Sequence, residues 1–87
     1  MLEKLKQSLR ISGNMFDAEL QDLIDAALLD LKISGVLNLN IYDHLIMRAV
    51  ITYAKANFGI DNKDSEKYQK AYDMIKVHLS LSGDYNG

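Results

Sequence analysis

Glycines at positions 13, 35, 59 and 83 fall at nearly even intervals in a chain of 87 residues that has no proline. Each follows a stretch whose apolar residues recur every three or four positions, and a glycine there suits the left-handed residue that ends many helices. This punctuation predicts four helical segments and a short tail. Eighty-seven residues are too few for two independent cores, so residues 1–83 read as one domain and 84–87 as its C-terminal tail. The expected fold is all-α, a compact four-helix domain with short glycine-ended helices.

The first segment places Leu2, Leu5 and Leu9 on one stripe. A helix this short does not stand alone in water, so it must dock on the rest. The second is the clearest, with Phe16, Leu20, Leu23, Ile24, Ala27, Leu28 and Leu31 in helical register. Asn14 is its expected N-cap, with Asp17 in the first turn and Lys32 near the far end, both matching the helix dipole. The third opens with Asn40 and Asp43 in cap-like spacing. Its stripe of Tyr42, Leu45, Ile46, Ala49, Val50, Tyr53 and Phe58 is widened by Met47, Ile51 and Ala54, which predicts the most enclosed helix. The fourth is expected after the polar stretch 61–66, with Tyr68, Ala71, Tyr72, Ile75 and Leu79 inward and Met74, Val77 and Leu81 on a neighbouring face. Residues 36–41 alternate apolar and polar, but a lone strand has no partner in the chain, so they read as an extended connector, the alternative being a strand paired through another subunit.

Charge and composition exclude several classes. The formal net charge is −2, which disfavours gripping a phosphate backbone over a broad basic face. Without cysteine there is no disulfide, thiolate nucleophile or Cys-ligated zinc. No apolar run is long enough to span a bilayer, and the start, Met1 to Lys6, mixes charge with apolar residues unlike a signal peptide. A soluble intracellular domain is expected. The second segment sets Asp17, Glu19, Asp22, Asp25 and Asp30 against Lys32, whereas residues 1–13 set Lys4, Lys6 and Arg10 against Glu3. Such asymmetry suits neighbouring subunits meeting through opposite charges, and equally an ordinary solvated helix.

Candidate chemistry is sparse. Asp22, Asp25 and Asp30 follow one helix instead of converging from several elements, which makes a metal site a poor reading. The run from Asp61 to Glu66 resembles a calcium loop only superficially, since Lys63 and Ser65 take ligand positions and no glycine follows. His78 with Ser80 or Ser82 fails as a nucleophile–base pair because neighbours so spaced point apart on a helix, and His44 is expected at the surface. There is no phosphate-cradling glycine loop. A helix-turn-helix would have to present Arg48 and Lys55 beside an acidic helix, which duplex DNA would repel. The aromatics sit at core spacing. No catalytic, cofactor-binding or metal-ligating residue is expected.

What remains is surplus apolar surface: Leu29 and Ile33 beside the second stripe, Met47 and Ile51 beside the third, and Met74, Val77 and Leu81 on the fourth. A body this small cannot enclose them all, and a contiguous exposed patch marks a partner site. Self-association is the expectation.

The residues Leu5-Lys6-Gln7-Ser8-Leu9-Arg10-Ile11, then Phe16-Asp17-Ala18-Glu19-Leu20 and Leu23-Ile24-Asp25-Ala26-Ala27, resemble the head–tail connector (adaptor) proteins of tailed bacteriophages and prophages, often labelled DNA-packaging proteins. The similarity continues through Asp43-His44-Leu45-Ile46, Ala49-Val50, Tyr53-Ala54-Lys55, Phe58-Gly59, Tyr68, Tyr72 and Leu79-Ser80-Leu81-Ser82. It covers nearly the whole chain, mostly at core positions. The resemblance implies a non-enzymatic, cofactor-free helical subunit in the virion neck, assembled in the bacterial cytoplasm. Identical copies would form a ring under the portal protein, extend the DNA channel and dock the next connector or tail protein, with DNA only as passing cargo and no membrane. Two departures stand out. The proline or insertion common between the second and third helices is missing, and the family's portal-gripping C-terminal extension is cut to Asp84-Tyr85-Asn86-Gly87. Leu29, Met47, Ile51 and Tyr85 are the candidate oligomer or portal contacts. The alternative is a small helical regulatory partner of a larger bacterial enzyme.

Overall fold

The computed structural model describes residues 1–59 and 63–87. It holds α1 (Leu2–Leu9), α2 (Asp17–Ile33), α3 (His44–Asn57) and α4 (Ser65–Leu81), with no strand among the described residues. The domain is all-α, as its periodicity predicts. α3 packs on the other three helices and buries Ile46, Ala49, Val50, Ala54 and Ala56. α1 lies across α2 and α3, with Leu5 fully buried between them. Burying that leucine contributes about 2 kcal/mol, the docking that an eight-residue helix requires.

Local chemistry sets most of the boundaries. α2 ends where the Val36 amide donates to Leu31 O at 2.9 Å and the Gly35 amide to Lys32 O at 3.1 Å. Those two bonds make a Schellman motif, and Gly35 supplies the left-handed turn at φ 99°. Leu31 and Val36, both fully buried, meet across it in one core cluster. α3 starts at Asp43, whose carboxylate accepts the Leu45 and Ile46 amides at 2.8 and 3.3 Å. Asn40 makes the turn before it by accepting the Tyr42 amide at 3.0 Å. The Ser65 hydroxyl donates to Ala56 O at 2.5 Å, joining the start of α4 to the end of α3.

Some expectations need correction. α2 is preceded by Phe16, not capped by Asn14, and no side chain caps it. Residues 14–17 close a turn, and Phe16 instead sets its ring edge-on to Phe58 at 5.4 Å. α1 ends well before Gly13, because Arg10 itself adopts φ 59° and its amide and that of Ile11 close the turn on Gln7 and Lys6. Gly83 has no positive φ. Tyr42, Leu45, Phe16 and Ala71 are exposed, not core. α4 begins at Ser65, inside the polar stretch. Asp61 and Asn62, on which part of the calcium-loop comparison fell, lie outside the described residues.

Residues 36–40 of the connector are neither helix nor strand, Ile41 enters a turn, and the tail folds onto this segment. Tyr85 O accepts the Leu37 and Asn38 amides at 2.8 and 3.0 Å, and Asn38 Nδ2 donates to Asp84 O at 3.1 Å.

Candidate functional site

Burial within one copy leaves three apolar faces uncovered. On α2, Leu29 and Ile33 are 57% and 75% exposed; on α4, Met74, Val77 and Leu81 are 74%, 55% and 78% exposed. Leu37 on the connector and Tyr42 in the turn after it do the same. At 3.6 residues per turn, Leu29 and Ile33 lie directly opposite the buried row Leu20, Ile24, Ala27 and Leu31. No rearrangement of α2 could bury both rows against α3.

An open groove of about 810 Å³ runs along α3, walled by α4 and by α1. Met47 and Ile51 line it, together with Leu45, Met74 and Ile75. Lys4, Arg48, Lys55 and Lys67 also line it, and no carboxylate does among the described residues. Lys55 stands over the Tyr68 ring at 5.7 Å, which places the end of α3 beside the start of α4. Lys55 and Lys67 therefore mark one end of the groove, and Leu45 and Met47 lie toward the other, beside His44 and Arg48.

Of the four contacts expected from sequence, the structure brings Met47 and Ile51 together in this groove. Leu29 stands apart on the outer side of α2. Tyr85 is partly buried, its hydroxyl donating to both oxygens of Asp43 at 3.0 and 2.9 Å. Sequence reasoning missed the cationic wall because Lys4, Arg48 and Lys67 come from three helices, with no local spacing to announce them. It also missed the tie between Tyr85 and Asp43, which joins the tail to the cap of α3.

Two buried-edge carboxylates are electrostatically tuned. Asp30 accepts the Tyr72 hydroxyl at 2.6 Å and the Lys76 ammonium at 3.0 Å. The bond from Tyr72 holds its carboxyl below the usual range, with Lys76 adding to it against an opposing effect of burial. Burial and the same bond push the Tyr72 phenol up. For Asp43, burial acts to raise its affinity for a proton, but bonds from Tyr85 and the Leu45 and Ile46 amides outweigh it and leave the group lowered. The bond to Asp43, with burial, raises Tyr85. These are structural ties between elements. The Ser80 hydroxyl donates to Val77 O at 2.9 Å, within its own helix, rather than to His78. No group of three or more His, Asp or Glu converges as a metal site among the described residues, and no helix there is long and apolar enough to cross a membrane.

No curated protein and no solved structure matches the chain. A family model described as phage connector protein matches residues 1–86. That match takes in all four helices, the groove, the outer apolar faces and the folded-back tail, so the chain belongs to the phage connector protein family, a structural family of the head–tail junction of bacteriophages.

Proposed function

We propose that the protein is a ring-forming head–tail connector subunit that sits under the portal, lengthens the DNA channel and docks the next connector or tail protein. The carrying observation is the set of apolar faces on α2 and α4 that one copy leaves uncovered. A heterologous contact repeated about a rotation axis closes into a ring and covers such faces without any chemistry. Leu29, Met47 and Ile51 are the proposed contacts between copies or with the portal. Tyr85 is a further one through its ring alone, since its hydroxyl is already bonded to Asp43. The outer row Val77 and Leu81 is the surface proposed for the portal or tail side. A net charge of −2 suits a conduit from which duplex DNA must leave again. In this reading the subunit is made and assembled in the bacterial cytoplasm and ends in the virion neck.

Co-sedimentation with purified portal assemblies tests the reading. The chain should pellet with the portal and appear as a ring beneath it in electron micrographs, and Val77→Asp with Leu81→Asp should abolish pelleting while leaving helical content unchanged. A chain that stays in the supernatant at every portal concentration contradicts it.

A further inference from the structure

The outer row of α2 carries more than Leu29 and Ile33. Asp22 and Asp25 lie on the same side of the helix, toward its start, so this face has an acidic end and an apolar end. The groove along α3 has the complementary order: Lys67, at the start of α4, lies toward the end of α3, Leu45 lies at the start of α3, and Arg48 stands one turn in from Leu45. None of Lys4, Arg48 and Lys67 makes an ion pair among the described residues.

The lengths also agree. The groove follows α3 from His44 to Lys55, and the α2 row runs from Asp22 to Ile33. Each is eleven residues of rise, about 16 Å. The groove includes no residue of α2, so one copy can offer its α2 face and fill its groove at the same time.

Resting on the ring reading above, we propose that the occupant of the groove is α2 of a second copy. It would run antiparallel to α3, with Asp22 and Asp25 toward Lys67, with Arg48 reaching along the helix toward Asp25, and with Leu29 and Ile33 toward Met47, Leu45 and Met74. Two different patches meet, so the contact is head-to-tail and propagates around an axis instead of stopping at a dimer. The charges set register and suppress the reversed helix, whereas the apolar residues supply the buried area.

Reciprocal charge reversal tests this on the full chain. Arg48→Glu with Lys67→Glu makes the groove acidic, and Asp22→Lys with Asp25→Lys makes the α2 face basic. In sedimentation velocity up to millimolar concentration, each variant alone should associate at least about tenfold more weakly than the native chain, since like charges now face each other. An equal mixture should recover assembly, because each groove then finds the opposite charge on the other variant's α2, and recovery also proves both variants folded. In this cysteine-free chain, Leu29→Cys and Met74→Cys chains should cross-link on oxidation when the copies associate. The proposal is overturned if a variant alone assembles like the native chain, if the mixture does no better than its parts, if no cross-link forms, or if the native chain stays monomeric. It is also overturned if the groove variant loses retention on duplex DNA but not self-association, which assigns the cations to phosphate. Native rings that persist in the variants leave the connector reading intact with another interface, and portal co-sedimentation judges that reading separately.

Discussion

The core has two halves held by different physics. Around α1, Leu5, Leu20, Ile24, Ala27, Val50 and Ala54 form an aliphatic cluster. It is sealed at the edge by one ion pair, Lys6 Nζ to Asp17 Oδ1 at 2.9 Å. Around the connector and tail, Leu31, Val36, Ile46, Ala49, Tyr72 and Leu79 form the second cluster. That half is tied by Tyr72 and Lys76 on Asp30, by Tyr85 on Asp43, and by the Tyr53 ring edge-on to Tyr72 at 5.1 Å. Burial of aliphatic area is non-directional and tolerates small shifts. Hydrogen bonds to carboxylates demand geometry, so the second half fixes where the tail sits relative to the connector and the start of α3.

The largest effect should come from breaking the aliphatic half. Leu5→Ala removes the one fully buried anchor of α1 and should cost about 3 kcal/mol in urea denaturation, with amide exchange rising first across α1. Tyr72→Phe keeps the ring but removes the donor to Asp30. It should cost about 1 kcal/mol, at the low end for a charged acceptor because that carboxylate side chain is 38% exposed.

The halves should also differ in acid. Asp30 and Asp43 have folded pKa values below the ordinary 3.8. As pH falls below that value, the unfolded carboxylates take up protons before the folded ones do. Their stabilisation is therefore complete above about pH 4 and is lost as pH falls through the folded values. Combining Tyr72→Phe with Tyr85→Phe should flatten this acid limb in pH-dependent melts, whereas Leu5→Ala should lower the curve without changing its shape. The two phenols act at the other extreme: raised in the fold, they lend stability that is complete below about pH 10 and is lost as pH climbs through their folded values. The smallest effect has the opposite sign. Arg10→Gly relieves a left-handed residue at φ 59° and should stabilise the aliphatic half by about 0.5 kcal/mol.

Much of the architecture was legible because its causes are local. Leu20, Ile24, Ala27 and Leu31 announce α2 by spacing alone, Asp43 announces the start of α3, and Gly35 announces the end of α2. Arg10 was not legible, since nothing nearby in sequence marks a non-glycine residue for the left-handed region. The bonds from Tyr72 and Tyr85 each join residues 42 positions apart, beyond any periodicity argument. Of the candidate site, the surplus of Leu29, Met47 and Ile51 was readable as composition on a helix. Which residues share a surface was not.

By itself the sequence determined four helical segments and more apolar side chains than one small body encloses, because helical period and surface-to-volume ratio are properties of the chain alone. Only the tertiary structure decided that Leu29 and Ile33 face away from α3, that Tyr85 turns inward to Asp43, and that Lys4, Arg48 and Lys67 gather on one groove. Each of those outcomes depends on how helices cross and which row each one covers. That choice is made by packing between segments distant in sequence.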